Sequence, residues 1–300
     1  MAVRTPLLRL NAEVPGAEVW LKLECLQPIG SFKLRGSGNA MRLAGKDRLA
    51  GGVYTDSAGN MAQGVAWNAR QMGIPCTVLV PDSAPQTKLA AIERLGGKVV
   101  QLPFDRWWQV LVDHGYPGTD GLFVHPVSDP AVIAGNGTAG LEILEDLPDA
   151  DAILVPFGGG GLSSGIACAA SAVRPKTKVY ACEVETAAPF SASLSAGKPV
   201  PIEYTPSFVD GIGSKGMLPE MWPLASSVLA GSLVVSVFEA AAAVKLLSER
   251  NRVVAEGAGA TSVAAACKGV PGSPAKIVCV VSGGNIDAAK LATILRGEVP

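Results

Sequence analysis

With 300 residues, 48% of them hydrophobic and 17% charged, the chain has enough material for one large or two modest well-packed domains and is too apolar to be disordered. A formal net charge of −1 with no basic stripe argues against a nucleic-acid footprint, and the most apolar stretch, residues 228–244, is broken by Gly231, Ser232, Ser236 and Glu239, so no membrane span is expected. Six cysteines without a CxxC pair, two histidines without HExxH spacing and an N-terminus without an apolar signal core argue against a zinc hydrolase and for a cytoplasmic enzyme with reduced thiols.

In chain order, Val19, Leu21 and Leu23 alternate with Trp20, Lys22 and Glu24, which reads as a short strand. A turn at 27–30 leads to Ser31, a good N-cap for a helix starting at Phe32. Strands are expected at 53–55, 76–80 and 98–102, with helices over 60–72, 85–95 and 105–114. Trp107 and Trp108 are adjacent in the last of these and cannot share one face, so one packs inward while the other meets a neighbour or a cleft. Further on, a helix over 138–147, a buried strand over 152–157, a helix from 162 and strands over 178–184 and 276–281 follow. Ser236 with Glu239 forms a capping box for a helix reaching 250. The strand–helix alternation implies parallel sheets in two α/β lobes, with ligand loops at the carboxyl ends of strands.

Four places carry chemistry. Lys33 falls in the first turn of its helix, where the positive end of the macrodipole disfavours an ammonium and favours a nucleophilic amine. Gly158, Gly159, Gly160 and Gly161 join a buried strand to a helix N-terminus, a cradle of backbone N–H groups suited to a phosphate. It is not an ATP loop, since no Gly-Lys-Ser/Thr follows, and Ser164 stands where a dinucleotide fingerprint needs glycine or alanine. Ser57, Ala58, Gly59 and Asn60 form a second strand-to-helix loop able to bind a carboxylate, though alone it reads better as an ordinary cap. In Ser282-Gly283-Gly284-Asn285 the hydroxyl could meet a heteroaromatic nitrogen or cap the last helix. Together a poised amine, a phosphate cradle, a carboxylate loop and a serine on a glycine turn describe a site for pyridoxal 5'-phosphate holding an amino acid.

The motifs Ser31-Phe32-Lys33-Leu34-Arg35-Gly36, Asp56 to Gly64, Val132 to Thr138, the glycine loop, Glu256 to Ala260 and Ser282 to Asn285 occur in the order found in the fold-type II pyridoxal-phosphate enzymes. The chain resembles, over essentially its whole length, their threonine/serine dehydratase and serine racemase branch. The resemblance implies a two-lobed α/β fold, parallel twisted sheets flanked by helices with the cofactor in the interdomain cleft. Residues 1–50 and 128–300 would form a large cofactor-binding domain, and 51–127 a small domain closing over substrate. It implies that Lys33 forms the Schiff base and moves the α-proton, Phe32 packs on the cofactor ring and Asn60 bonds its 3'-oxygen. Gly158 to Gly161 would hold the phosphate and Ser282 the ring nitrogen, while Ser57, Ala58, Gly59 and Asn60 would take the substrate carboxylate.

The implied activity is that of a dehydratase, a carbon–oxygen lyase releasing ammonia and a 2-oxo acid from a β-hydroxy L-amino acid in amino acid catabolism. The family's homodimeric state is implied with it. Ala58 stands where the branch's racemases place a serine, which argues against racemisation. The Lys33 motif differs from that of the β-replacement synthases, and a non-catalytic binding module would have no need of Lys33. Glu183 and Ala187 match two ligands of the branch's structural cation, but Pro189 replaces a third, so no metal is expected. The chain ends soon after Ser282, so isoleucine feedback is not expected. Met61 and the Trp107-Trp108 pair leave room for substrates bulkier than threonine or serine, such as phenylserine, or for 3-hydroxyaspartate.

Overall fold

Apolar runs rich in β-branched residues become strands buried on both faces, and the amphipathic stretches between them become the covering helices. The computed structural model describes all 300 residues. In chain order they form β1 (Leu7–Arg9), β2 (Glu18–Lys22), α1 (Lys33–Arg48), β3 (Val53–Asp56), α2 (Asn60–Met72), β4 (Cys76–Pro81), α3 (Gln86–Arg94) and β5 (Lys98–Leu102). Next come α4 (Phe104–Asp113), β6 (Leu122–Phe123), α5 (Pro130–Asp146), β7 (Ala152–Pro156), α6 (Gly161–Val173), β8 (Lys178–Val184) and α7 (Pro189–Ala196). The chain closes with α8 (Trp222–Val228), β9 (Gly231–Val235), α9 (Val237–Leu246), α10 (Gly257–Lys268), β10 (Lys276–Val280) and α11 (Ala288–Leu295). No helix is long and apolar enough to cross a membrane.

The chain divides into two units, Met1–Val3 with Ser31–Asn136, and Arg4–Gly30 with Gly137–Pro300. This division falls elsewhere than at residues 50 and 128. α1 packs along α2, and Gly36 and Gly135 bring α1 and α5 so close that a Cβ on Gly135 would lie 2.5 Å from the Arg35 carbonyl oxygen. Residues 31–50 and 128–136 therefore lie with the smaller sheet. α5 starts at Pro130, earlier than the expected 138, because Gly135 and Gly137 are sites of close helix approach and not breaks.

The first unit holds a parallel sheet in the order β5-β4-β3-β6. Its main core, including Val53, Val65, Val78 and Ile92, lies between sheet and α2, and a second cluster gathers Tyr54, Leu79, Leu102 and Val110 under α4. Trp107 packs into that second cluster and Trp108 is exposed, as their adjacency requires.

The second unit holds six strands in the order β1-β2-β10-β7-β8-β9, all parallel except β1 against β2. The capping box at Ser236 and Glu239 starts α9 as expected. All six cysteines are free, and burial pushes the Cys25 and Cys76 thiols up to about 12, too high for thiolate chemistry. Glu183 is fully buried and accepts from the amides of Phe190 and Ser191, both at 2.8 Å, and from the Ser232 hydroxyl. Burial raises its pKa and those three donors pull it back. The carboxylate thus serves the N-terminus of α7.

A polar knot lies beneath the β1–β2 edge. Lys22, wholly buried, donates to the Thr5 carbonyl at 2.8 Å and to Glu142 at 2.6 Å, while Glu24 accepts from the Thr5 hydroxyl and the Gln27 amide. Removing only the lysine charge takes the Lys22 ammonium away from the Glu142 carboxylate in a largely buried site. Lys22→Met is expected to cost about 3 kcal/mol in denaturant unfolding; a loss below about 1 kcal/mol would show that the pair is solvent-screened.

Candidate functional site

α1 opens at Lys33, one residue later than the sequence pattern suggests, with Phe32 in the capping position and Ser31 Oγ 3.4 Å from the Lys33 amide. What places this lysine is the packing of α1 on α2. Asn68 of α2 donates to the Leu34 carbonyl at 3.1 Å and to Ser37 Oγ at 2.9 Å, and Ser37 in turn donates to the Lys33 carbonyl at 2.7 Å. Gly64 makes the contact possible: a Cβ there would lie 3.1 Å from the Lys33 carbonyl carbon. Since Gly64 is one turn along α2 from Asn60, the start of α1 lies beside the start of α2. The Lys33 ammonium group reaches the Pro126 carbonyl at 3.0 Å and stands 5.2 Å from the centre of the Phe32 ring.

The loop after β3 is built to leave donors open. Ser57 anchors it through its amide to the Leu79 carbonyl, and Gly59 donates to Ser57 Oγ at 3.1 Å. The amides of Ala58, Met61 and Ala62 donate to nothing in the chain, and α2 points its positive end at them. An anion the size of a carboxylate fits such a loop.

Just before it sits a residue that the motif reading named without giving it a role. Asp56 is 2% exposed, and neither of its carboxyl oxygens has a hydrogen-bond partner. Burial pushes its pKa up to about 8, and the Trp107 indole, whose N–H is directed to the Leu79 carbonyl at 3.3 Å, offsets this only in part. The carboxyl group is therefore held largely protonated near neutrality.

In the second unit β7 ends at Pro156, and Gly158 to Gly160 turn the chain into α6. None of the amides from Gly158 to Ser163 donates to an acceptor of the chain. Gly160 has φ +90°, which favours glycine, and a Cβ on it would meet the Phe157 ring at 3.0 Å. β10 is the parallel neighbour of β7, with Cys279 paired to Leu154, so the Ser282 loop leaves the sheet at the same end as the glycine loop. Ser282 is buried, and its loop is fixed by the Glu256 amide donating to the Gly283 carbonyl at 3.0 Å and the Gly284 amide to the Gly30 carbonyl at 2.9 Å.

The expected residues thus form two sets: Phe32, Lys33, Ser57, Ala58, Gly59 and Asn60 in one unit, and Gly158, Gly159, Gly160, Gly161 and Ser282 in the other. Sequence reasoning named Asp56 only as the first residue of a motif and gave it no role, although a carboxylate ending an otherwise buried strand was a readable signal. It passed over Pro126, whose contribution is a main-chain carbonyl and leaves no mark in residue type.

Residues 2–283 match the model of a family described as pyridoxal-phosphate dependent enzyme. The chain is 40% identical over 287 residues to an L-threonine ammonia-lyase of Thermotoga maritima, covering 95% of this chain and 71% of that one. It is 34% identical over 307 residues to a serine racemase of Rattus norvegicus, covering 99% of this chain and 92% of the relative. Its structure superposes on that of maize serine racemase with a TM-score of 0.89 at 31% identity, over 98% of this chain and 92% of the maize chain.

Asp56 makes a pH signature. Its folded pKa of about 8 lies above the ordinary value of about 4, so the folded state keeps a proton that the unfolded chain gives up, and stability falls as pH rises between these values. Asp56→Asn, which has no proton to lose, should gain stability over the parent progressively from pH 5 to pH 8 in denaturant titrations, by about 1 kcal/mol or more. A pH-independent difference would mean that Asp56 titrates as an ordinary carboxylate.

Proposed function

The chain belongs to the family of pyridoxal-phosphate dependent enzymes, and on that premise we propose that it is an ammonia-lyase converting a β-hydroxy L-amino acid to a 2-oxo acid and ammonia. Threonine and serine head the candidate substrates, since the relative from Thermotoga maritima bears the name of an L-threonine ammonia-lyase; phenylserine and 3-hydroxyaspartate are the bulkier and the charged alternatives. The observation that carries the reading is the pairing of Lys33 at the start of α1 with the donor loop at the start of α2.

The residues fit the cofactor. The row of amides from Gly158 to Ser163 without acceptors suits a phosphate, and glycine at 160 allows the positive φ that turns the loop into α6. Lys33 would hold the group through its amine, Phe32 would pack on the ring, Asn60 would bond the ring oxygen and Ser282 the ring nitrogen. When bound, the group supplies a sink for the electrons left at the α-carbon.

The chain supplies the rest. The open amides of Ala58, Met61 and Ala62, backed by the α2 dipole, bind the substrate carboxylate and set the α-proton toward the Lys33 amine, which removes it. The β-hydroxyl leaves as water, and the enamine released is hydrolysed to the 2-oxo acid and ammonia. Ser282, a neutral hydroxyl, would not hold the ring nitrogen protonated as an aspartate would, which would favour expelling the β-substituent over holding charge at the α-carbon. Ala58 offers no hydroxyl to return a proton to the opposite face, so the lyase reading is preferred to a racemase one, although racemases are among the relatives. The same reading carries a homodimeric, cytoplasmic enzyme.

Lys33→Ala should abolish the visible absorption band of the bound cofactor and lower turnover by a factor on the order of 10³ or more. With threonine, serine, phenylserine and 3-hydroxyaspartate offered in turn, 2-oxo acid should exceed D-amino acid for every substrate that reacts. Retention of band and turnover in the variant would remove Lys33 from its role, and D-amino acid in excess would replace lyase by racemase.

A further inference from the structure

The acceptor that Lys33 reaches is held with unusual care. Pro126 lies between β6 and α5, in a segment that forms neither strand nor helix. The turn is organised by the ring of His125, itself 2% exposed. Nδ1 of His125 accepts from the Val127 amide at 3.1 Å and from the Ser128 amide at 2.9 Å, with Ser128 Oγ at 3.2 Å. Nε2 on the other side lies 3.2 Å from the Leu111 carbonyl oxygen. Backbone amides can only donate and a carbonyl can only accept, so these partners assign the proton to Nε2 and a bare lone pair to Nδ1. The ring is clamped in that pose by stacking on His114 at 4.4 Å and by the edge-on Phe123 at 5.7 Å.

The link from this ring to the lysine is one peptide plane. The Pro126 carbonyl and the Val127 N–H belong to the same planar trans amide and point in opposite directions. With the Val127 N–H drawn to His125 Nδ1, the Pro126 oxygen is turned the other way, and on that side it meets Lys33 Nζ at 3.0 Å. Proline at 126 adds its own constraint, since its ring fixes φ on the near side of the plane.

We infer that the Pro126–Val127 peptide, aimed by His125, is the acceptor that holds the Lys33 amine whenever it is not bonded to the cofactor, which makes His125 a positioning residue of the reaction. The inference rests on the assignment of Lys33 as the cofactor-binding and proton-moving amine. Once Lys33 is freed it must neither swing away from the α-carbon nor lose the proton it takes to solvent. A carbonyl accepting from the ammonium stabilises its charged form, and a fixed carbonyl limits its reach. Nothing in this arrangement requires His125 to gain or lose a proton.

His125→Leu removes the acceptor at Nδ1, whereas His125→Asn keeps an oxygen able to take the Val127 amide. Cofactor capture by the cofactor-free protein, followed through growth of the visible band after adding pyridoxal 5'-phosphate, should slow about tenfold or more in His125→Leu and recover in His125→Asn. In the loaded enzyme kcat should fall in parallel, with KM changed less than about threefold. Capture and kcat at parental rates in His125→Leu overturn the inference. Should His125→Leu fail to fold, the ¹⁵N spectrum of histidine-labelled parent protein decides: a protonated Nδ1 at His125 overturns the proposal, and a bare Nδ1 supports it. Lys33→Ala run alongside separates the two levels. Loss of the band there with an unaffected His125→Leu sinks only the positioning role, and a band kept in Lys33→Ala sinks the assignment beneath it.

Discussion

The approach of α1 to α2 is the contact on which the rest of the site in its unit depends. A helix start is an ordinary place for a lysine, and its backbone dipole alone gives little reason for chemistry. What distinguishes Lys33 is that its main chain lies against Gly64, where no side chain could fit without displacement. Asn68 ties the two helices together through the Leu34 carbonyl and Ser37 Oγ. The buried side-chain nitrogen of Asn68 finds both of its acceptors on the neighbouring helix. The result is that two helix N-termini lie side by side, one carrying an amine and the other a row of unspent donors.

The second unit solves a separate problem with the same physics. Its glycine loop leaves a run of amides without acceptors at the N-terminus of α6, and an unpaired backbone donor away from water carries a cost that an anion relieves. The register of β10 against β7 brings the Ser282 loop to the same sheet edge. Ser57 to Asn60 in the first unit, and Gly158 to Gly161 with Ser282 in the second, sit where parallel sheets leave their loops, past the carboxyl ends of strands. The two buried carboxylates show how differently one group can be treated. Glu183 has three donors and serves a helix start, whereas Asp56 has none and keeps its proton instead.

Much of this was legible in residue patterns. The helix over 60–72 and the strand over 178–184 match the structure end to end, because each is bounded by glycine, proline or charged residues and has a clear period. The Ser236 and Glu239 capping box appears with both of its hydrogen bonds. Other elements were hidden. α5 begins eight residues early (130 against 138), since glycines that look like breaks serve as points of helix contact. β1, β6 and β9 escaped notice because short or half-buried strands owe their existence to a neighbour with which to pair.

The sequence by itself determined the strand–helix alternation, the positions of the glycine turns and the place of Lys33 at a helix start, since each of these follows from local propensity and residue type. Only the tertiary structure decided that Lys33 lies beside the loop at the start of α2, that Asp56 is left without a donor and that the Pro126 oxygen faces the lysine. Those facts depend on main-chain atoms and on partners such as Asn68 or Trp107, which are dozens of positions away along the chain. A carbonyl has the same chemistry in every residue, so no pattern of side chains announces which one will face an amine.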